Sequence, residues 1–134
     1  MYRCSIILFL LLLASCDKTE VESITNSTAI TWHLIQVGIS EGGGDTIPID
    51  VESEKQLTFY ENGTFKSNSD FCAFMADAGV SSSGIYEASN SILYAENCLD
   101  NGIKKLFYYI EENKMTIYYP CICGCFEVYE QCKE

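Results

Sequence analysis

Apolar and polar residues alternate with a period of two through most of the chain after residue 29, and Gly, Asn, Asp and Ser punctuate the runs. A period of two is that of a strand whose two faces meet different surroundings. AITWHLIQVGI (29–39) predicts a first strand, and SEGGGD (40–45) a loop. TIPID (46–50) is at best a short edge piece, because Pro48 has no N–H to give to a ladder. In KQLTFYENGTFKSN (55–68) a two-residue turn at Asn62-Gly63 would set Phe59 opposite Lys66. A three-residue loop with Gly63 in the left-handed conformation sets Phe59 opposite Phe65, and the apolar face selects this register. SGIYEASNSILYAE (83–96) turns near Ser89-Asn90. KLFYYIEENKMTIYY (105–119) turns at Glu112-Asn113, pairing Ile110 with Met115, Tyr108 with Ile117 and Leu106 with Tyr119. Its other face carries Phe107, Tyr109, Thr116 and Tyr118, is half polar and can meet water. FEVYE (126–130) is a last strand, and 70–80 has room for one helical turn at most.

About eight short strands joined in sequence by hairpins predict an all-β domain. The expected form is an antiparallel up-and-down barrel or a strongly curled sheet, with a two-sheet β-sandwich as the alternative. An eight-strand barrel is largely filled by its own side chains and leaves space for one small ligand at best.

The first fifteen residues do not belong to this pattern. Arg3 precedes an apolar run, 5–13, of signal-peptide length. Leu13-Ala14-Ser15-Cys16 then resembles the lipobox of bacterial lipoproteins. The resemblance implies cleavage before Cys16 and lipidation of Cys16 on its sulfur and its new N-terminus. Two or more acyl chains hold a protein at a membrane without a spanning helix. The chain thus divides into a lipoprotein signal peptide (1–15), a lipidated Cys and flexible tether (16–29) and a β domain (30–134). The tether can reach about 40 Å when extended. Asp17 next to Cys16 accompanies inner-membrane retention in enteric bacteria. In some other Gram-negative lineages acidic residues just after the Cys accompany export to the cell surface, and Lys18, Glu20 and Glu22 fit that pattern. The expected location is the cell envelope, at the outer membrane, periplasmic or surface-exposed.

The net charge of −11 becomes −12 once Arg3 leaves with the signal. Such acidity, with only Lys104 and Lys105 adjacent, excludes a nucleic-acid surface, which needs clustered Lys and Arg. The single histidine, His33, follows Trp32 in the first strand and should face away from it. Asp50, Glu52 and Glu54 align on one side of an extended segment and read as a strand edge defended by charge. The other readings of that cluster are a calcium site or a glycosidase-like pair. No nucleophile elbow, phosphate loop or dinucleotide fingerprint accompanies them, and no enzyme activity, metal or cofactor is expected. Asp45-Thr46-Ile47 resembles an O-glycosylation sequon of some Gram-negative bacteria and makes Thr46 a candidate for modification.

TWHLIQV, LTFYENGTFKSN, FC, SSGIY and YYPCICGC…VY together resemble the lipocalin-like domain of small bacterial lipoproteins, over nearly all of 30–130. The resemblance carries an early Trp, an Asn-Gly hairpin and late cysteines, and it implies a non-enzymatic binding or interaction role at the envelope. Two narrower roles are a carrier of a small apolar ligand in a barrel mouth, and a structural or inhibitory surface protein that contacts another envelope protein.

Six cysteines remain after the signal and Cys16: Cys72, Cys98, Cys121, Cys123, Cys125 and Cys132. An even number in an exported small domain predicts disulfides, with a thiolate metal site as the rival. Residues i and i+2 of a strand project to one side roughly 6.6–6.8 Å apart, too far for a bridge. If 121–125 is extended, Cys121, Cys123 and Cys125 each take a partner from Cys72, Cys98 and Cys132. The family resemblance matches Cys121 and Cys125 to the usual late pair of cysteine positions. It therefore implies Cys123–Cys132 as an added bridge, with Cys72 and Cys98 divided between Cys121 and Cys125.

Overall fold

Nine strands occur among the residues described, 28–39, 46–98, 104–121 and 124–133 of a computed structural model, and no helix occurs among them. They are β1 (Ala29–Ile39), β2 (Ile49–Asp50), β3 (Gln56–Tyr60), β4 (Thr64–Ser69), β5 (Ala78–Glu87), β6 (Ile92–Glu96), β7 (Lys104–Glu111), β8 (Lys114–Tyr119) and β9 (Cys125–Gln131). Every pairing is antiparallel. β1 and β3 to β9 pair in chain order, and β9 returns to β1, closing an eight-strand barrel. β2 is one extra strand, held against the end of β1 that β3 does not reach (Gln36 opposite Asp50, Val37 opposite Ile49). The two-sheet alternative is set aside by the β1–β9 closure.

The hairpin registers follow the apolar faces. Phe59 lies opposite Phe65, and Gly63 takes φ +83, which is open to a residue without Cβ. Tyr108 pairs with Ile117 and Ile110 with Met115. Residues 88–91 turn β5 into β6, around the expected Ser89-Asn90. β5 begins at Ala78, five residues before the expected hairpin start at Ser83, and 71–75 forms turns, within the expected limit of one helical turn. Its polar start is viable because buried serines bond one another where the β4–β5 register shifts. Ser82 Oγ donates to Ser69 O (2.7 Å) and accepts from Phe71 N–H (3.0 Å), and Ser67 Oγ lies 3.1 Å from Ser69 Oγ.

Inward positions are filled. Trp32, Leu34, Leu57, Phe59, Phe65, Leu93, Leu106, Met115, Ile117 and Tyr129 are buried along the strands, and Phe71 enters from the β4–β5 loop. Their rings interlock, with Phe65 edge-on to Phe71 at 5.2 Å and Phe59 edge-on to Tyr86 at 4.8 Å. Gly84, opposite Phe65, makes room for that ring: a Cβ on it would lie 2.7 Å from Phe65 Cε1.

The two barrel ends differ. The tight turns 61–63, 88–91 and 112–113 share one end with the start of β1 and the finish of β9. The longer connection 70–77 and the start of β9 occupy the other. Both disulfides lie at this second end.

Candidate functional site

Charge sits in the core at that loop end. Period two along β3 and the residue before it turns Lys55, Leu57 and Phe59 inward, and along β9 it turns Cys125, Glu127 and Tyr129 inward. Lys55 and Glu127 therefore meet inside the barrel, both side chains fully removed from water. Lys55 Nζ lies 3.0 Å from both Glu127 carboxylate oxygens. Tyr119 Oη (2.9 Å) and Tyr129 Oη (2.7 Å) donate to Glu127 Oε2, and the Met75 N–H donates to Oε1 at 2.9 Å. The ammonium also stands 5.8 Å from the ring centres of Phe71 and Tyr119, within cation–π range. Burial pushes both tyrosine hydroxyls well above their ordinary value. At Tyr119 the next largest contribution is the charge of Glu127, and at Tyr129 it is the neighbouring Tyr119. No buried side-chain polar atom among the described residues lacks a partner. Fully buried and bonded to one another, these side chains have the properties of a lock between β3, β8, β9 and the 70–77 loop. Sequence reasoning passes over it because a Lys and a Glu near strand ends read as solvated, although both stand in inward register.

The cysteine pairing differs from the expected one. Cys72 bonds Cys98, with Cα atoms 5.4 Å apart, and Cys121 bonds Cys125, with Cα atoms 5.8 Å apart. Tyr119 pairs directly with Cys125 across β8–β9, so Cys121 and Cys125 do not lie along one extended strand. Gly124, just before β9, takes φ +81. The i, i+2 strand spacing thus does not apply to Cys121 and Cys125. Cys72 and Cys98 are accordingly not divided between them; they join the 70–77 loop to the end of β6. Cys132 is free and exposed beyond the finish of β9, so the expected Cys123–Cys132 bridge does not form; Cys123 itself lies outside the described residues. Cys16 also lies outside them. Among the described residues no cluster of His, Cys, Asp and Glu could hold a metal ion.

The remaining candidates lie on the surface. His33 is half-buried and its Nε2 bonds the Ser53 carbonyl, while Trp32 faces the core. Asp50, Glu52 and Glu54 alternate outward as expected and are exposed, and Asp50 Oδ1 accepts from Gln36 Nε2 at 2.7 Å. Thr46 is partly exposed just before β2. The described clefts, about 360 to 640 Å³, open on the surface, whereas the barrel interior is occupied by side chains. One groove of about 420 Å³ runs between 51–54 and 75–78, with Leu34, Val37 and Val51 along its floor.

The outer wall of β7, β8 and β9 is aromatic. Phe107, Tyr118 and Phe126 are direct cross-strand neighbours, and Tyr118 and Phe126 ring centres are 6.3 Å apart. Phe107 (54% exposed), Tyr109 (57%) and Tyr118 (49%) face solvent. The Phe126 ring extends this surface over Gly38 of β1, where a Cβ would come within 2.7 Å of Phe126 Cε2. The face expected to meet water does so, with Phe107, Tyr109 and Tyr118 exposed and Thr116, opposite Tyr109, partly buried.

No protein-family model matches the chain, and no curated protein and no solved structure matches it.

Proposed function

We propose that the chain is an exported lipoprotein, held at the outer membrane by acyl groups on Cys16, whose barrel is a rigid non-enzymatic scaffold for contact with another envelope protein. The aromatic outer wall of β7–β9 carries this reading. A sheet face directed at water normally alternates to polar residues. Contiguous exposed apolar surface marks an interaction site, and aromatic side chains are enriched in such interfaces. The filled interior favours this role over a carrier, because a ligand would have to displace packed rings and a bonded ion pair. The lipobox-like Leu13-Ala14-Ser15-Cys16 supports the anchor, and two disulfides suit an oxidising compartment.

Site-specific photocrosslinking in the native host tests the contact. A crosslinker at Tyr109 or Tyr118 should give one discrete adduct with an envelope protein, and one at Lys66, on β4, should not. Phe107→Ser/Tyr118→Ser should abolish the adduct while leaving the circular dichroism spectrum unchanged. Equal labelling from Lys66, or a co-purified lipid in native mass spectrometry, would count against the reading. Metabolic labelling with an alkynyl fatty acid checks the anchor and should disappear in Cys16→Ser.

A further inference from the structure

The groove between 51–54 and 75–78 is a separate feature from the aromatic wall, at the loop end of the barrel. Its floor is apolar, and Glu52 and Glu54 stand exposed on one bank with Asp77 on the other. No residue lining it is basic. The nearest lysine in sequence, Lys55, is turned inward and spent on Glu127. None of the three carboxylates has a hydrogen-bond or ion-pair partner among the described residues, and they form no cluster able to share a metal ion. Their complement is therefore positive charge spread along a segment, not concentrated in one ion.

Met75 adds an independent observation. It takes φ 59, a conformation uncommon for a residue with a Cβ, and its N–H is fastened to the buried Glu127. The fastening leaves its side chain about half exposed in the groove lining. A flexible thioether at such a place adapts to varied apolar side chains. Cys72–Cys98 anchors the same loop three residues away. The bank is thus fixed by a disulfide and a core hydrogen bond while presenting an adaptable surface.

We infer that this groove binds a segment of another protein that inserts an apolar side chain between Val51 and Met75 and sets Lys or Arg against Glu52, Glu54 and Asp77. Apolar burial supplies the anchor, and the carboxylates set the orientation and the encounter rate.

The probe is a fluorescein-labelled hexapeptide of alternating lysine and leucine, titrated by anisotropy into the full chain purified from its own host. Two control peptides replace lysine by glutamate or leucine by glycine. The lysine–leucine peptide should bind, and each control should bind at least about tenfold more weakly. Glu52→Gln/Glu54→Gln/Asp77→Asn should weaken it by about tenfold. The remote triple Glu111→Gln/Glu112→Gln/Glu130→Gln should change it by less than about twofold at physiological salt, being beyond effective screening distance. The substituted side chains are exposed, so both triples should keep the parent melting curve, and amide shifts on binding should map to Val51, Ala76 and Asp77. Absence of binding would overturn the inference. So would an equal loss in the remote triple, or undiminished binding of the glycine peptide, each of which means diffuse attraction to an acidic surface. Self-association in sedimentation velocity, abolished by the groove triple, would place a second copy there and overturn it too.

Discussion

Glu127 is fully buried in the barrel interior, and its presence there depends on its partners: the Lys55 ammonium, two tyrosine hydroxyls and the Met75 amide. Taking a charge out of water costs several kcal/mol, which the ion pair and its hydrogen bonds offset only while they are complete. Removing one partner is therefore worse than neutralising both. Glu127→Gln should cost about 3–5 kcal/mol, because it leaves a buried ammonium without its counter-charge. Lys55→Met should cost a similar amount for the opposite reason. Lys55→Met/Glu127→Gln should be more stable than Glu127→Gln alone, since the amide oxygen still accepts from Tyr119 and Tyr129 and no charge stays buried. Urea denaturation followed by circular dichroism at pH 7 measures all three. Strict additivity of the two single losses would refute the coupling.

The elements are held at one end by two covalent ties of different reach. Cys72–Cys98 spans 26 residues and joins the 70–77 loop to the end of β6, whereas Cys121–Cys125 spans 4 and only closes the β8–β9 connection. In the chain-entropy picture the first contributes about 3.5 kcal/mol and the second about 2 kcal/mol. Paired alanine substitutions at each bridge should separate by that order in urea melts, and a larger loss from Cys121→Ala/Cys125→Ala would contradict it. The same elements show what the amino-acid pattern makes legible. The 61–63 turn could be read because Gly63 and the Phe59–Phe65 match point to one register. The barrel followed from sequential hairpins. The bridges are not legible because the pairing argument needs 121–125 to be extended, and the register of β8 on β9, with Tyr119 opposite Cys125, decides otherwise. The start of β5 is hidden because Ser81 and Ser82 show no apolar alternation, and only the partners Ser69 and Phe71 explain why Ser82 is buried. The ion pair was hidden because a charge in inward register is informative only once its partner, 72 residues away, is known.

On the scale of the whole molecule, the buried tyrosines couple global stability to alkaline pH. Burial raises both Tyr119 and Tyr129 well above 10.0, the ordinary value that they regain on unfolding. Each hydroxyl is then protonated in the folded chain at a pH where the unfolded chain has released that proton. The folded state binds more protons, so stability falls as pH rises. Their contribution is complete below about pH 10 and is lost progressively as pH climbs through the folded-state values. In that window each tyrosine should lower the unfolding free energy by about 1.4 kcal/mol per pH unit, and the two together by about twice that. The part of the tyrosinate absorbance at 295 nm that belongs to these two buried hydroxyls should therefore appear together with the collapse of the circular dichroism. Tyr119→Phe/Tyr129→Phe loses two donors to Glu127 and starts from a lower stability, but its alkaline slope should flatten by the two-proton amount. An unchanged slope in that variant, or complete tyrosine ionisation while the barrel is still folded, would show that these hydroxyls do not govern the alkaline transition.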